Sequence, residues 1–473
     1  MGYQQELAKK IEAKQQEYFE ISDQIWGFAE SRFREVKSYR LQAEYMKKQG
    51  FRVVEGIAGE DTAFTAEFGS GKPVIALLGE YDALSGLSQE ADVAEHAPVC
   101  EGGDGHGCGH NLLGTAALAA TVALKEYMQE HKLPGTIRYY GCPAEENAGG
   151  KAFLVRDGAF KDCDIALTWH PGWMNKVTAS GSLANFRVFY TFHGKSAHAA
   201  GSPHLGRSAL DGVEIMDVGV NYMREHMIDE ARIHYAIINS GGTAPNVVQS
   251  EAQVLYAIRA PKVTQVKELY ERVCDVARGA ALITGTTVDI RQVAAYSDYR
   301  ANEVISEKIG EHMEEFLPVG YTEEEIAYAR KFQEVITDLD KLNLKEFAKK
   351  VAGKESAKLL EQPLYDFLIT KEPGGGKGST DVGDVSWVVP TGQFSAVTWA
   401  AGTPGHAWQV VAQGKGPVAH KGVLLAAKVI AATAYDFLTD PKLVEEARKA
   451  WLEDLDGESY PNALPADAKP ELW

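Results

Sequence analysis

The chain has 473 residues and a formal net charge of -18, which is too long for one ordinary core, so more than one domain is expected. The acidic balance argues against nucleic acid or an anionic membrane as partner, and no stretch reads as apolar over the length a membrane span needs. Five cysteines in so long a chain do not make a disulfide framework, which suits a reducing cytoplasm.

The N-terminal MGYQQELAKKIEAKQQEYFE is polar and helical in pattern rather than a signal peptide. In KPVIALLGEYDAL (72–84) the apolar run VIALL between Pro73 and Gly79 reads as a fully buried strand. DGHGCGHN (104–111) follows, then a helical stretch, LLGTAALAATVALKEYMQEHKL. GTIRYYGCPAEE (135–146) is a second strand, ending in Glu145 and Glu146, and CDIALTWHP (163–171) is a third, ending at His170. Strand and helix alternate, so a parallel or mostly parallel α/β sheet is expected. In such sheets ligands gather beyond the carboxyl ends of the strands.

The pattern changes near residue 183. LANFRVFYTFHG and SEAQVLYAIRA alternate with period two, with helical stretches between and after them. These are the ingredients of a small α+β domain with one exposed sheet face, ending near TTVDIRQVAAYSDYR. An acidic helical region spans 302–362, the glycine-rich EPGGGKGSTDVGDVSW returns to turn chemistry, and TGQFSAVTWAAGTPGHAW reads as a strand leading to His406.

The chemistry-bearing residues stand at those strand ends. Cys108 and His110 are at i and i+2, so in an extended segment they point the same way. A thiolate and an imidazole converging on one point suit a metal, although a glycine turn with a buried cysteine would look the same. Of two adjacent carboxylates, one can bind metal while the other handles protons, although a Glu-Glu pair is more often solvated. His170 and His406 each read alone as ordinary histidines. Together, four strand ends each deliver a group suited to a divalent ion. Among the aromatics, Trp169, Trp173 and Trp408 stand beside these histidines and could line a pocket, while Trp387 and Trp399 read as core.

HGCGHN, PAEENAGGKAFLVRDGAF, HGKSAHAAGSPHLGRSALDG and GGTAPNVVQSEAQVLYAIRA occur in that order. The set resembles the M20 metallopeptidase clan, in its amidohydrolase branch. That resemblance implies an α/β fold: a metal-binding catalytic domain on a mostly parallel sheet, with an inserted smaller α+β dimerisation or lid domain. The expected boundaries are 1–182 and 298–473 for the catalytic domain and 183–297 for the insertion. It implies metal-dependent hydrolysis of the amide bond of an N-acyl amino acid, p-aminobenzoyl-glutamate or a related aryl-acyl amino acid. Residue by residue, Cys108, His110, Glu146, His170 and His406 would hold two divalent ions, manganese or zinc, and Glu145 would be the general base. His198 would reach the active site of a partner subunit, and Asn246 and Arg259 would hold the substrate carboxylate. The implied assembly is a homodimer or a heteromer with a related subunit.

The chain departs from the clan at its first motif. The usual His-x-Asp reads Glu80-Tyr81-Asp82 here, which leaves Asp82 to orient a ligand from behind. His420 rivals His406 as the last ligand, but it opens a helix, so His406 is preferred. Two other functions stay open: an aminoacylase or dipeptidase with another acyl group, and a partner-dependent subunit that turns over nothing alone. The presence of Glu145 and of every proposed ligand argues against the second.

Overall fold

The computed structural model describes residues 2–370 and 378–471. Its strands are β1 (Arg52–Glu55), β2 (Phe64–Ser70), β3 (Val74–Glu80), β4 (Gly135–Cys142), β5 (Ile165–Gly172), β6 (Lys176–Val177), β7 (Ala184–His193), β8 (Arg232–Asn239), β9 (Glu251–Ala260), β10 (Thr287–Tyr296) and β11 (Thr391–Val397). They form a seven-stranded sheet in the order β1-β2-β4-β3-β5-β11-β6 and a four-stranded sheet in the order β10-β7-β9-β8.

The centre of the large sheet, β4-β3-β5-β11, is parallel, with antiparallel strands at both edges. Every residue of β3 and of β11 is buried, as expected of strands covered on both faces. Helices His110–His131 and Pro417–Thr439 pack against each other and against this sheet. Pro417–Thr439 corrects one expectation, because it is long and apolar enough to cross a membrane. Most of its apolar window is buried in the protein core, so its apolarity is spent on packing.

The small sheet is antiparallel throughout. Helices Ala209–Met223 and Val263–Thr284 cover one face and bury Val188, Tyr190, Val254 and Tyr256 in a separate core. The alternation of β9 is visible in its burial, with every second residue inside. The strand β8 has no counterpart among the elements expected from the sequence. It is the sheet's edge, and Tyr235, Ile237 and Ile238 on it are exposed. With only Ile233 buried, it lacks the polar-apolar signal of β9.

The acidic region holds helices Glu303–Phe316, Glu323–Glu334, Asp338–Ala352 and Ser356–Leu360. The first of these packs on β11 and on Pro417–Thr439. Of the expected glycine-rich turn, residues 371–377 lie outside the described residues, and helix Val382–Ser386 follows.

Candidate metal centre

The strand β3 ends at Glu80, and Asp82 lies two residues on. Next to them is the glycine stretch, whose geometry differs from the expectation. Cys108 and His110 do not share an extended segment. Gly109 sits in the left-handed region at φ 77°, and His110 is already the first residue of helix His110–His131. A side chain at position 109 would meet Pro171 and Trp399 at 3.0 Å, so the turn needs glycine for space as well as for φ. The tight turn still brings Cys108 and His110 within ligand reach of one another.

After β4, the chain reverses at Ala144, a non-glycine residue at φ 57°. Such a conformation costs on the order of 1–3 kcal/mol and persists only where the surroundings impose it. Here they do. Ala144 N donates to Glu35 Oε1 at 3.1 Å, and its carbonyl accepts from Ala148 and Gly149 N. Glu146 N donates to Asp82 Oδ2 at 3.0 Å. Two residues of the small sheet hold the next carbonyls: Tyr296 OH donates to Glu145 O at 3.1 Å, and Arg187 to Glu146 O at 2.9 Å. The carboxylate pair is thus fixed from both sheets.

Three groups of ligand atoms converge, each within 4.8 Å: Cys108 with His110 and His170; Cys108 with Glu146 and His406; and Glu80 with His110 and Glu145. His170 Nε2 lies 3.3 Å from Cys108 Sγ, while its Nδ1 donates to the Pro171 carbonyl at 2.8 Å. His110 Nδ1 donates to Asp82 Oδ1 at 2.8 Å. In both rings Nδ1 is committed to an oxygen, which leaves Nε2 as the atom available to a metal. His406, in the left-handed region at φ 53°, places Nε2 3.3 Å from Glu146 Oε1. Whether these residues fit a metal can be tested on their unpaired atoms: His110 Nε2 and Glu146 Oε1 are buried without a hydrogen-bond partner. Buried lone pairs with nothing to accept are costly, and a divalent cation satisfies them together. The donor set fits.

The electrostatics agree. Burial and the neighbouring Glu80 and Glu146 carboxylates push Glu145 well above the usual carboxylate range. Burial would raise the Cys108 thiol and Glu146 adds to this, but the His170 and His110 imidazoles outweigh both and bring it down to about 6. Burial likewise opposes ionisation of Glu146, yet His406 and His110 hold it at about 2. Contacts to Cys108 and Glu146 raise His406 to about 11. The pocket favours positive charge.

The cavity above this cluster has a volume of about 660 Å³, and its walls include Glu145, His170, His406, Arg259, Trp173 and Trp399. The aromatic expectation is corrected in part. Trp399 reaches the cavity although it read as core, whereas Trp169 is buried and donates to Leu113 O at 3.0 Å. Trp408 is not among the walls. His420, the rival ligand, stacks on Phe19 and meets Asp23 at 3.0 Å instead.

The inserted sheet divides the remaining candidates. Arg259 faces the cavity, and its Nε is buried without a hydrogen-bond partner. His198 and Asn246 lie beside each other in exposed loops, linked by a hydrogen bond from Ala199 N to Asn246 O, and neither lines the cavity of its own chain. Sequence reasoning missed Lys151, Asp381, Glu35, Arg187 and Tyr296. The only signal was a charge in an apolar context, as at Lys151 in GGKAFLV.

A pocket that gathers a thiol, imidazoles and carboxylates at the ends of parallel strands is a metallohydrolase site. The chain is an amide-bond hydrolase, and it belongs to peptidase family M20/M25/M40, whose model matches residues 76–461. It is 45% identical over 468 residues to a p-aminobenzoyl-glutamate hydrolase subunit of Escherichia coli (strain K12), covering 97% of both chains. It is 28% identical to the Xaa-Arg dipeptidase of Mus musculus, over 93% of this chain and 90% of that one. Among solved structures it resembles a dinuclear metal-binding M20 peptidase, the YXEP protein of Bacillus subtilis, with a TM-score of 0.51 at 14% identity, over 89% of this chain and 99% of that one. That last likeness speaks for the fold.

Proposed function

We propose that the chain hydrolyses p-aminobenzoyl-glutamate, or a closely related aryl-acyl amino acid, with two divalent ions, manganese or zinc. The observation that carries this reading is the buried Glu145 carboxylate, set among the Cys108, His110, Glu146, His170 and His406 ligand atoms, in one cavity with Arg259. The relative with 45% identity over 97% of the chain supports the choice of substrate.

Bound divalent ions would supply a lowered water pKa and a polarised amide carbonyl. The protein's own groups do the rest. Glu145, raised by burial and by its acidic neighbours, takes the proton of the attacking water and passes it to the leaving nitrogen. Asp82 and the Pro171 carbonyl keep the two histidines in the ligand tautomer. The Arg259 guanidinium receives the carboxylate next to the scissile amide, where a two-pronged contact is available, and Trp173 and Trp399 flank the aryl group. His198 and Asn246, exposed on their own chain, act in the cavity of a second chain, either another copy or a related subunit. The Escherichia coli relative is itself named as a subunit of its hydrolase, in keeping with such an assembly.

The test is hydrolysis by purified protein, alone and mixed with a related second chain, with manganese or zinc added or chelated. Substrates are p-aminobenzoyl-glutamate, its α-amide and a panel of N-acyl amino acids. Metal-dependent cleavage of p-aminobenzoyl-glutamate, with the α-amide cleaved far more slowly, is expected. Equal cleavage of acid and α-amide overturns the role of Arg259, and better turnover of aliphatic acyl groups overturns the aryl assignment.

A further inference from the structure

The approach of Glu80 to His110 is not a hydrogen bond. His110 has already committed its Nδ1–H to Asp82, so Nε2 is the ring atom left for another partner. Glu80 Oε2 lies 3.2 Å from it, and Nε2 has no hydrogen-bond partner. A carboxylate oxygen and a ring nitrogen that close, with no hydrogen bond joining them, form a natural seat for a cation in a low-dielectric interior.

Glu80 cannot turn away. Its other oxygen meets Lys151 Nζ at 2.5 Å, and that ammonium meets Asp381 Oδ1 at 2.6 Å. The second Asp381 oxygen accepts from the backbone N of Lys151 at 2.9 Å. All three side chains are buried. A lysine counter-ion would need only one oxygen of Glu80, yet here the second is aimed at the His110 Nε2, which makes no hydrogen bond. Two further carboxylates face the same point. Ligand atoms of Glu80, His110 and Glu145 lie within 4.8 Å of one another, and Glu146 Oε1, also without a hydrogen-bond partner, stands 4.0 Å from His110 Nε2.

We propose that Glu80 is a ligand of the ion held by His110, and that Lys151 and Asp381 are positioning residues that fix its free oxygen toward that ion. This rests on the two-ion reading of the site. Lys151 and Asp381 form a neutral pair, so the Glu80 charge is left for the ion to balance. A carboxylate oxygen here hardens the donor set around His110, which moves preference toward manganese.

The experiment is calorimetric titration of metal-free protein with manganese alone, checked by elemental analysis after gel filtration. Thermal melting in chelator reports the fold of each variant separately. Wild type is expected to take up two ions. Glu80→Gln should keep one ion at wild-type affinity and weaken the other by at least roughly 10–100-fold, the loss usual for disturbing even an outer partner of a metal. Glu80→Ala removes the carboxylate and leaves Lys151 paired with Asp381, so no buried charge is stranded. It should show the same loss. Two ions at wild-type affinity in Glu80→Ala would make Glu80 a counter-ion of Lys151 and overturn the proposal. A wild type holding a single ion that Glu80→Gln weakens would remove the second ion and keep Glu80 as a ligand. A wild type that binds no manganese overturns both.

Discussion

The two sheets prepare their histidines in opposite ways. At the ends of the large sheet, His110 and His170 each give Nδ1–H to an oxygen and turn Nε2 toward carboxylates and a thiol. In the inserted domain, His198 Nδ1 accepts from Ala200 and Gly201 N at 3.2 and 3.0 Å, which leaves the proton on Nε2, on an exposed side chain. One arrangement suits metal ligation and the other suits hydrogen-bond donation. The same contrast holds for the surroundings. The first set is buried among like charges that only a cation relieves, while the second has no partner in its own chain's cavity. Local hydrogen bonding, more than residue type, assigns the task.

Breaking the buried side of this contrast should have the largest effect. Glu145→Gln keeps its shape and loses its base, so turnover should fall by about 10²–10⁴-fold with metal content unchanged. Glu146→Ala should lose metal as well, as measured by elemental analysis. Equal metal loss in both variants would mean that the two glutamates do not divide the work this way. On the exposed side, His198→Ala should lower turnover by roughly 10²–10³-fold while melting temperature and metal content stay put. An unchanged rate would leave His198 as a cap for its own turn.

Smaller effects probe the contacts between the sheets. Tyr296→Phe keeps the ring packed on Gly149 and removes one hydrogen bond to Glu145 O. A loss of about 1 kcal/mol is expected, read as a few-fold fall in kcat with KM unchanged. Asp384 accepts from Ser297 N, Ser297 Oγ and Tyr460 OH, just beyond β10. Burial pushes it from 3.8 up to about 7. A carboxyl raised on folding stabilises fully below its unfolded value, and that stability is lost as pH rises through the folded one. The melting temperature of Asp384→Asn relative to wild type should therefore climb between pH 4 and 7, and a flat difference would refute the shift.

How much of this was legible in the sequence follows from what each residue type costs to bury. The strand β3 announced itself because it is apolar on both faces, whereas β11 is buried although one face carries Thr391, Gln393 and Ser395. Cys108, His110 and Glu146 carried a signal because thiol, imidazole and carboxylate rarely gather in glycine-rich turns without a reason. The edge strand β8 was silent, because its one buried residue, Ile233, cannot impose a period. Lys151 and Asp381 were silent for another cause. A lysine in a helix reads as solvated, and its burial depends on a carboxylate 230 positions away, a separation that no local pattern carries. The left-handed turn at Gly109 was also missed, so Cys108 and His110 converge through a backbone geometry other than the one expected.

The central claim is that the buried cluster of one chain is completed by the inserted domain of another. Mixing a Glu145→Ala chain with a His198→Ala chain, each nearly inactive alone, tests it most directly. A mixed dimer then holds one site with an intact base from one chain and an intact His198 from the other, so activity should rise well above either parent. No recovery, with mixed dimers demonstrated by mass, would contradict the shared site.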